Sequence, residues 1–485
     1  MPFPFVLPTT SSFSFSACFS CDSHPSLPLT TSGRRGVVRD ALKKHKRLPP
    51  TSRVGSLGTV IASIDAYLPY LLAVEASVGS QSLQAGQVVK VVMKVAPSMT
   101  WRPTLSEDIV PGRERSRVKI DSLEYEIFFV LTTLAYVYTL MARTTLQPLY
   151  ATSTEFLPDK ERTTAITTAT RQLLDAASIY DYMFRRSQHM SSPAPCVDVA
   201  PTTIKALSLL CLADATLLAV LKDDPYPAAV AQGRNKTDKE WMFKSPDMPR
   251  VRAHLFARLC LAAADHASTA LSLLQSSGSS GSLDKSKVTP ALLRYLEDLR
   301  RTSRAKACRF FGVDAEIGGQ TAEGIGWLRV GLHELGVEAK DQKKGFSLSR
   351  LRQDMSERRE DKRVEKDWEW GYDAGRQEET RVIQLLDVKW NKINDTINTQ
   401  AIPHINSLLT KMPSGREVHT IKPYEPSVLD REEVNAMRSQ PVGEEDIADD
   451  ASSDDEKGPL NAPGAFPGTA ANRSSRNSNR GNVFY

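Results

Sequence analysis

The chain has 485 residues, of which 41% are hydrophobic and 25% charged, with a formal net charge of +5. This is the balance of a folded protein with room for a large core, and it excludes collagen-like, low-complexity and disulfide-scaffold chains. The charge is uneven: residues 441–485 carry eight Asp or Glu against four Lys or Arg, a charge of −4, which leaves +9 on the rest. A basic body favours acidic helices, anionic lipid or nucleic acid, and charge does not choose among them.

Residues 1–16, MPFPFVLPTTSSFSFS, are apolar but lack a basic leading region and a continuous apolar core, so they do not read as a secretory signal. Cys18 and Cys21 form one C-x-x-C with His24 nearby. Without a second ligand pair at zinc-site spacing they read as two loop thiols. The stretch 56–78 is predicted helical, with Leu57, Ile61, Ile64, Leu68, Leu71 and Leu72 on one side. Gly79 and Gly86 then frame a β-prone run at 88–95 that predicts a small sheet.

The segment 122–142, SLEYEIFFVLTTLAYVYTLMA, places Leu123, Ile127, Leu131, Leu134, Tyr138 and Met141 at steps of three and four, the stripe of a buried helix. A partner helix is predicted at 163–186, with Ile166, Leu173, Ala177, Tyr180 and Phe184. Asp198 followed by Pro201 reads as a helix start, and Ile204, Leu207, Cys211, Leu217, Leu218 and Leu221 continue the stripe. After a loop at 223–249 comes a helix bearing Val251, Leu255, Leu259, Ala262 and Leu273, then a flexible SSGSSGS linker at 276–282. Helices follow at 290–311 and 321–336, and a charged helical stretch spans 348–400 with Trp368, Trp370, Val382, Leu386 and Ile393.

The mixed-sign run SERREDKRVEKD at 356–367 reads as a solvated helix face. Beyond Asp430 the acidic cluster 444–456 and the Asn/Ser/Arg/Gly tail lack apolar periodicity and are expected to be disordered. The fold class is therefore mostly α: successive helices packed side by side as an elongated, tetratricopeptide-like solenoid, a small sheet near the N-terminus and a disordered tail. The domain division is 1–430 and 431–485.

The chain carries no G-x-S-x-G, G-x-x-x-x-G-K-[ST], H-E-x-x-H or double C-x-x-C, and its eight histidines are scattered. Gly324, Gly326 and Gly331 lie inside a predicted helix and read as close helix packing, not as a phosphate loop. Catalytic, cofactor and metal sites are expected to be absent, as are nucleic-acid and small-molecule partners. Six cysteines in this length, with Cys211, Cys260 and Cys308 in apolar helical stretches, read as core residues in a reducing, cytoplasmic compartment. Within the apolar predicted helices no charge-free run reaches the roughly 18 residues of a membrane-spanning helix.

Several segments together resemble one family. The Ser-Leu-x-Tyr-Glu opening at 122 resembles the central helix of the BRO-type domain. Met99-Thr100-Trp101-Arg102 resembles that family's Phe-Thr-Trp turn, with Met99 in place of an aromatic. ALSLLCLADATLLAVLK from 206, ARLCLAAADHASTAL from 257 and TAEGIGWLRVGL from 321 resemble three further helices. Lys392-Ile393-Asn394-Asp395-Thr396-Ile397 with Ile402-Pro403 is similar to the family's Lys-x-Asn-Asp-x-Ile-Tyr…Val-Pro signature, Asn398 standing where a tyrosine is usual, and Lys422-Pro423 resembles its closing strand. The resemblance spans residues 2–426.

This resemblance implies a non-enzymatic adaptor that binds the main ESCRT-III filament subunit, of the Snf-seven type, most like members acting in fungal ambient-pH signalling. There, alkaline conditions lead to proteolytic activation of a zinc-finger transcription factor. It also implies recruitment to the plasma membrane or endosomal surface. The family's apolar contact positions fall at Ala219, Leu255 and Leu259. Relatives carry a large aromatic where Ala219 stands, which shifts the expected groove toward Leu218, with Lys222 and Arg258 supplying rim charge. Two other readings stay open: a tetratricopeptide-like scaffold for an unrelated peptide, and a peripheral protein binding anionic lipid directly.

Overall fold

The computed structural model describes residues 2–106, 115–150, 158–190, 192–227, 248–276, 287–337 and 371–440. Its helices are α1 (Phe15–Cys18), α2 (Leu27–Arg47), α3 (Pro50–Ser77), α4 (Leu123–Leu146), α5 (Asp159–Ser187), α6 (Pro201–Leu221), α7 (Arg250–Ser276), α8 (Pro290–Ile317), α9 (Thr321–Glu334), α10 (Arg376–Ile393), α11 (Ile405–Leu409) and α12 (Arg431–Ala436). From α2 to α10 each long helix packs against the one before it and the one after it. That nearest-neighbour order is the solenoid organisation the periodicities predict. The linker 277–282, the charged run 356–367 with Trp368 and Trp370, and the tail 441–485 lie outside the described residues.

Strands are short: β1 (Thr9–Thr10), β2 (Phe19–Ser20), β3 (Gln81–Gln84), β4 (Gln87–Lys90), β5 (Val92–Met93), β6 (Met99–Arg102) and β7 (Val118–Ile120). They form three antiparallel sheets, ordered β1-β6-β7, β2-β5 and β3-β4. The β-prone run at 88–95 is thus divided between a hairpin and a strand of another sheet.

The N-terminal segment, which has no periodicity to read, enters the core. Phe3 and Phe5 are buried, Phe5 stacking on Tyr136 of α4 at 4.3 Å and Phe3 meeting Tyr295 of α8 edge-on at 5.2 Å. Beneath it lies an ionic hub. Glu126 is fully buried in the first turn of α4, where Ser122 caps the helix, and accepts from Arg35 Nε at 2.8 Å, Trp101 Nε1 at 2.6 Å and Tyr67 Oη at 3.2 Å. Arg35 also donates to Thr10 and to the carbonyl of Ser11. One carboxylate thereby ties α2, α3, α4 and the β1-β6-β7 sheet together, and every partner satisfies a group that burial would otherwise penalise.

Asp198 does not cap α6. Its carboxylate accepts from the backbone of Thr104, Leu105 and Ser106 and from the Ser106 hydroxyl at 2.6–3.2 Å, pinning the segment after β6. A proline-led helix start needs no side-chain acceptor at that position, which leaves the acid available for the loop.

Further along, glycines set helix spacing as expected. A Cβ on Gly324 of α9 would lie 3.0 Å from the Gly312 carbonyl of α8, and one on Gly331 would lie 3.0 Å from Ile383 of α10. Asn394 sits in a π-helical turn after α10, donating to the Gln400 carbonyl and accepting from the Gln400 amide. This closes the turn through Thr399, which has φ of 46°. The family-like Lys-x-Asn-Asp segment is a chain reversal built on a buried amide.

The described body continues past the expected boundary at 430. Asp430 and Glu433 form a reciprocal capping box, Val434 is 2% exposed, and the Met437 carbonyl accepts from Ser26 N at 3.2 Å. One compact unit spans Met1–Gln440. Among the described residues three helices, α3, α4 together with the turn to Leu149, and α6, are long and apolar enough by length and composition to cross a membrane, although no charge-free run within a predicted helix suggests it. Their apolar windows are 56%, 83% and 67% buried inside the protein. An all-round apolar helix is what a core position demands.

The candidate face on α6 and α7

α6 and α7 pack side by side, so the six expected contact residues share one neighbourhood but not one surface. Leu218 is 4% exposed and sits in a small cluster with Ala142 and Leu146 of α4 and Ile166, Ala169 and Leu173 of α5. Leu259 is 5% exposed and belongs to a different cluster, with Val220, Phe256 and Leu261. Both leucines are core residues. The helical stripe that made them candidates is the same stripe that packs them inward.

Leu255 and Ala219 are half-buried, Leu255 packing at the edge of the Leu259 cluster. Val251, one turn before Leu255 and expected among the core positions of its helix, is 84% exposed instead. Lys222 is exposed where α6 ends. Arg258 is half-buried and engaged: its Nε donates to the Ser414 carbonyl at 3.2 Å, and its own carbonyl accepts from Arg416 N at 3.0 Å. It is an anchor for a neighbouring segment before it is a rim charge.

That segment, residues 413–424, is an irregular strap that periodicity could not reveal. Gly415 passes so close to α7 that a Cβ would stand 2.6 Å from the Ala262 nitrogen. His419 Nε2 donates to the Ala215 carbonyl of α6 at 3.2 Å, and Tyr424 meets Tyr182 of α5 edge-on at 5.5 Å. The strap therefore crosses α7, α6 and α5 in turn. Ala219 lies one turn past Ala215, and Leu255 one turn before Arg258, so both flank the strap on the faces it touches. The open apolar positions of these two packed helices, Val251 and Leu255 on α7 and Ala219 on α6, make up a shelf whose margin carries Lys222 and the Arg252–Asp223 pair, 4.0 Å apart.

The shelf is underpinned by charge. Asp224 accepts from Arg309 NH2 at 2.6 Å, and Glu379 of α10 accepts from Arg309 Nε at 2.6 Å and Lys306 Nζ at 2.7 Å. Arg309, Glu379 and Asp224 are all buried. Burial pushes the Glu379 carboxyl up, but the Arg309 and Lys306 charges outweigh it and hold the group below the usual carboxylate range. Tyr226 is buried with its ring 5.3 Å from the Arg309 guanidinium. This network fixes where the chain leaves α6.

Chemically the neighbourhood offers packing and charge. Cys211, Cys260 and Cys308 are buried free thiols, and burial pushes Cys260 up to about 12, far from a reactive thiolate. Among the described residues no group of three or more His, Cys, Asp or Glu is placed to hold a metal ion.

The chain belongs to the BRO1-like domain family, whose pattern matches residues 87–442. It is 39% identical over 513 aligned positions to pH-response regulator protein palC of Emericella nidulans, covering 97% of this chain and 99% of that one. It is 25% identical over 491 positions to pH-response regulator protein palC of Cryptococcus neoformans var. neoformans, covering 88% and 92%. Among solved structures, ALIX in complex with the SIVmac239 PYKEVTEDL late domain shares the fold, with a TM-score of 0.53 and 14% identity over 89% of this chain and 50% of that one. The chain thus spans half the length of that ALIX chain.

Proposed function

We propose that the protein is a non-enzymatic adaptor of a fungal ambient-pH response. Cytoplasmic and recruited to the plasma membrane or endosomal surface, it binds the main ESCRT-III filament subunit of the Snf-seven type and so promotes proteolytic activation of the pathway's zinc-finger transcription factor at alkaline pH. The observation that carries this reading is the 39% identity, over nearly the full length of both chains, to a protein named as a pH-response regulator. The ESCRT-III partner rests on the resemblance to BRO-type adaptors and on the character of the shelf. An acidic amphipathic helix would set its apolar side on Val251, Leu255 and Ala219 and its carboxylates near Lys222. Val251 extends the contact by one turn beyond the family's positions, and it offsets in part the area lost by an alanine at 219.

The test is binding of the full chain to a fluorescent C-terminal helix of the filament subunit. Leu255→Asp is expected to keep its circular dichroism and weaken binding by about 2 kcal/mol, close to thirtyfold. Leu259→Asp is expected to unfold, because it puts a charge into the core. A folded Leu255→Asp protein that binds like wild type would discard the shelf, and no binding by wild type would discard the ESCRT-III reading.

A further inference from the structure

Fifteen large hydrophobic residues are exposed among the described residues, and five of them, Leu83, Val88, Val92, Met93 and Val95, fall within thirteen positions. Scattered exposed leucines and valines are ordinary, but such a concentration is a patch. The β3-β4 hairpin presents it deliberately. Leu83 and Val88 are direct cross-strand partners, 71% and 54% exposed, and Gln81 and Lys90 form the next outward-facing pair. The intervening Ser82–Val89 and Gln84–Gln87 pairs turn toward the body, with Val89 2% exposed. The pleat therefore sorts the apolar pair outward by register and not by fraying.

At the tip, Ala85 and Gly86 both have positive φ, as a tight hairpin turn requires, and a Cβ on Gly86 would meet nothing within 4 Å. Space over Gly86 is open, while Gln87 on the inner side holds the hairpin to the body, donating to Asn435 Oδ1 of α12 at 2.6 Å. Lysines mark its outward side, while the carboxylates of α12, Glu432 and Glu433, lie beyond its inner side, where Gln87 bonds Asn435. The sequence has no Asp or Glu between Glu75 and Glu107, while Lys90 and Lys94 are exposed within the patch.

We infer that this hairpin and β5 form a docking surface for an anionic lipid bilayer, inserting Leu83 and Val88 among the acyl chains while Lys90 and Lys94 meet headgroup phosphates. An outward apolar pair with lysines on the same strands is the pattern that shallow interfacial binding needs. Strand addition from a protein partner fits less well. It would pair with the open edge of β3 and leave the outward apolar face, perpendicular to that edge, still in water. The inference stands apart from the ESCRT-III reading, since the shelf on α6 and α7 contributes nothing to it.

The experiment is co-sedimentation of the full chain with phosphatidylcholine vesicles, with and without phosphatidylserine. The wild-type protein is expected to bind only the serine-containing vesicles and to release at high salt. The Leu83→Ser, Val88→Ser double variant and the Lys90→Glu, Lys94→Glu double variant are each expected to lower the bound fraction roughly fivefold or more at an unchanged melting temperature. In parallel, Leu83→Trp reports insertion directly by a blue shift of the added indole emission on the same vesicles, relative to wild type. No binding by wild type, wild-type binding by either double variant, or an unshifted indole each overturns the inference. Self-association that the serine variant abolishes, in place of vesicle binding, would assign the patch to a second copy of the chain instead.

Discussion

Glu126 is the residue whose role is least visible in the sequence and greatest in the structure. It occupies a first-turn position where an acid is favoured by the helix N-terminus, so in sequence it reads as one of two ordinary glutamates beside Glu124. Glu124 is partly exposed and pairs with Arg186 of α5, whereas Glu126 is wholly buried against Arg35, Tyr67 and Trp101. Replacing it with glutamine preserves the shape but leaves the Arg35 guanidinium buried without its counter-charge. Glu126→Gln is therefore expected to cost about 3–5 kcal/mol, read as a shift of the urea midpoint with little change in slope. The same contrast explains the candidate residues on α6 and α7. Leu255 and Leu259 are both apolar, four apart and indistinguishable in the sequence, yet the packed neighbours bury one and only half cover the other.

Among the elements, the strap matters most for the candidate face and was the hardest to foresee. Regular elements announce themselves by period, and residues 413–424 have none. Their conformation is held by contacts with α5, α6 and α7 and not by a ladder of their own. Gly415 is the close approach that makes the crossing possible. Gly415→Ala would force a methyl group against α7 backbone that cannot yield, so the strap must lift. Faster amide exchange at Arg416, whose N–H bonds the Arg258 carbonyl, would report this, with a melting temperature lowered by a few degrees. Unchanged exchange there would show that the crossing tolerates a side chain. The glycines of α9 illustrate the opposite case: a run of small residues inside an apolar helix does signal close packing, and Gly324 and Gly331 meet α8 and α10 accordingly.

For the body of residues 2–440, the first and last described segments close the structure. Phe3 and Phe5 fill space between α4 and α8, and α12 returns to the start of α2 through Ser26. A chain ending at residue 430 loses the capping box, the buried Val434 and the Ser26 bonds, and is expected to be about 2–3 kcal/mol less stable than one ending at 440. Equal melting of the two truncations would make α12 dispensable. The order and neighbour packing of the helices from α3 to α10 were legible in the sequence, because apolar residues recurring at 3.6 positions state which face must leave water wherever that face finds cover; α2, polar over most of Leu27–Arg47, was not foreseen. The close spacing at the α9 glycines and the buried cysteines were legible for the same local reason. The partners of buried charges, the route of the strap, and which half-apolar positions stay open were decided only by the tertiary structure. Each depends on what residues distant in the chain bring to the same place, and no local pattern records that.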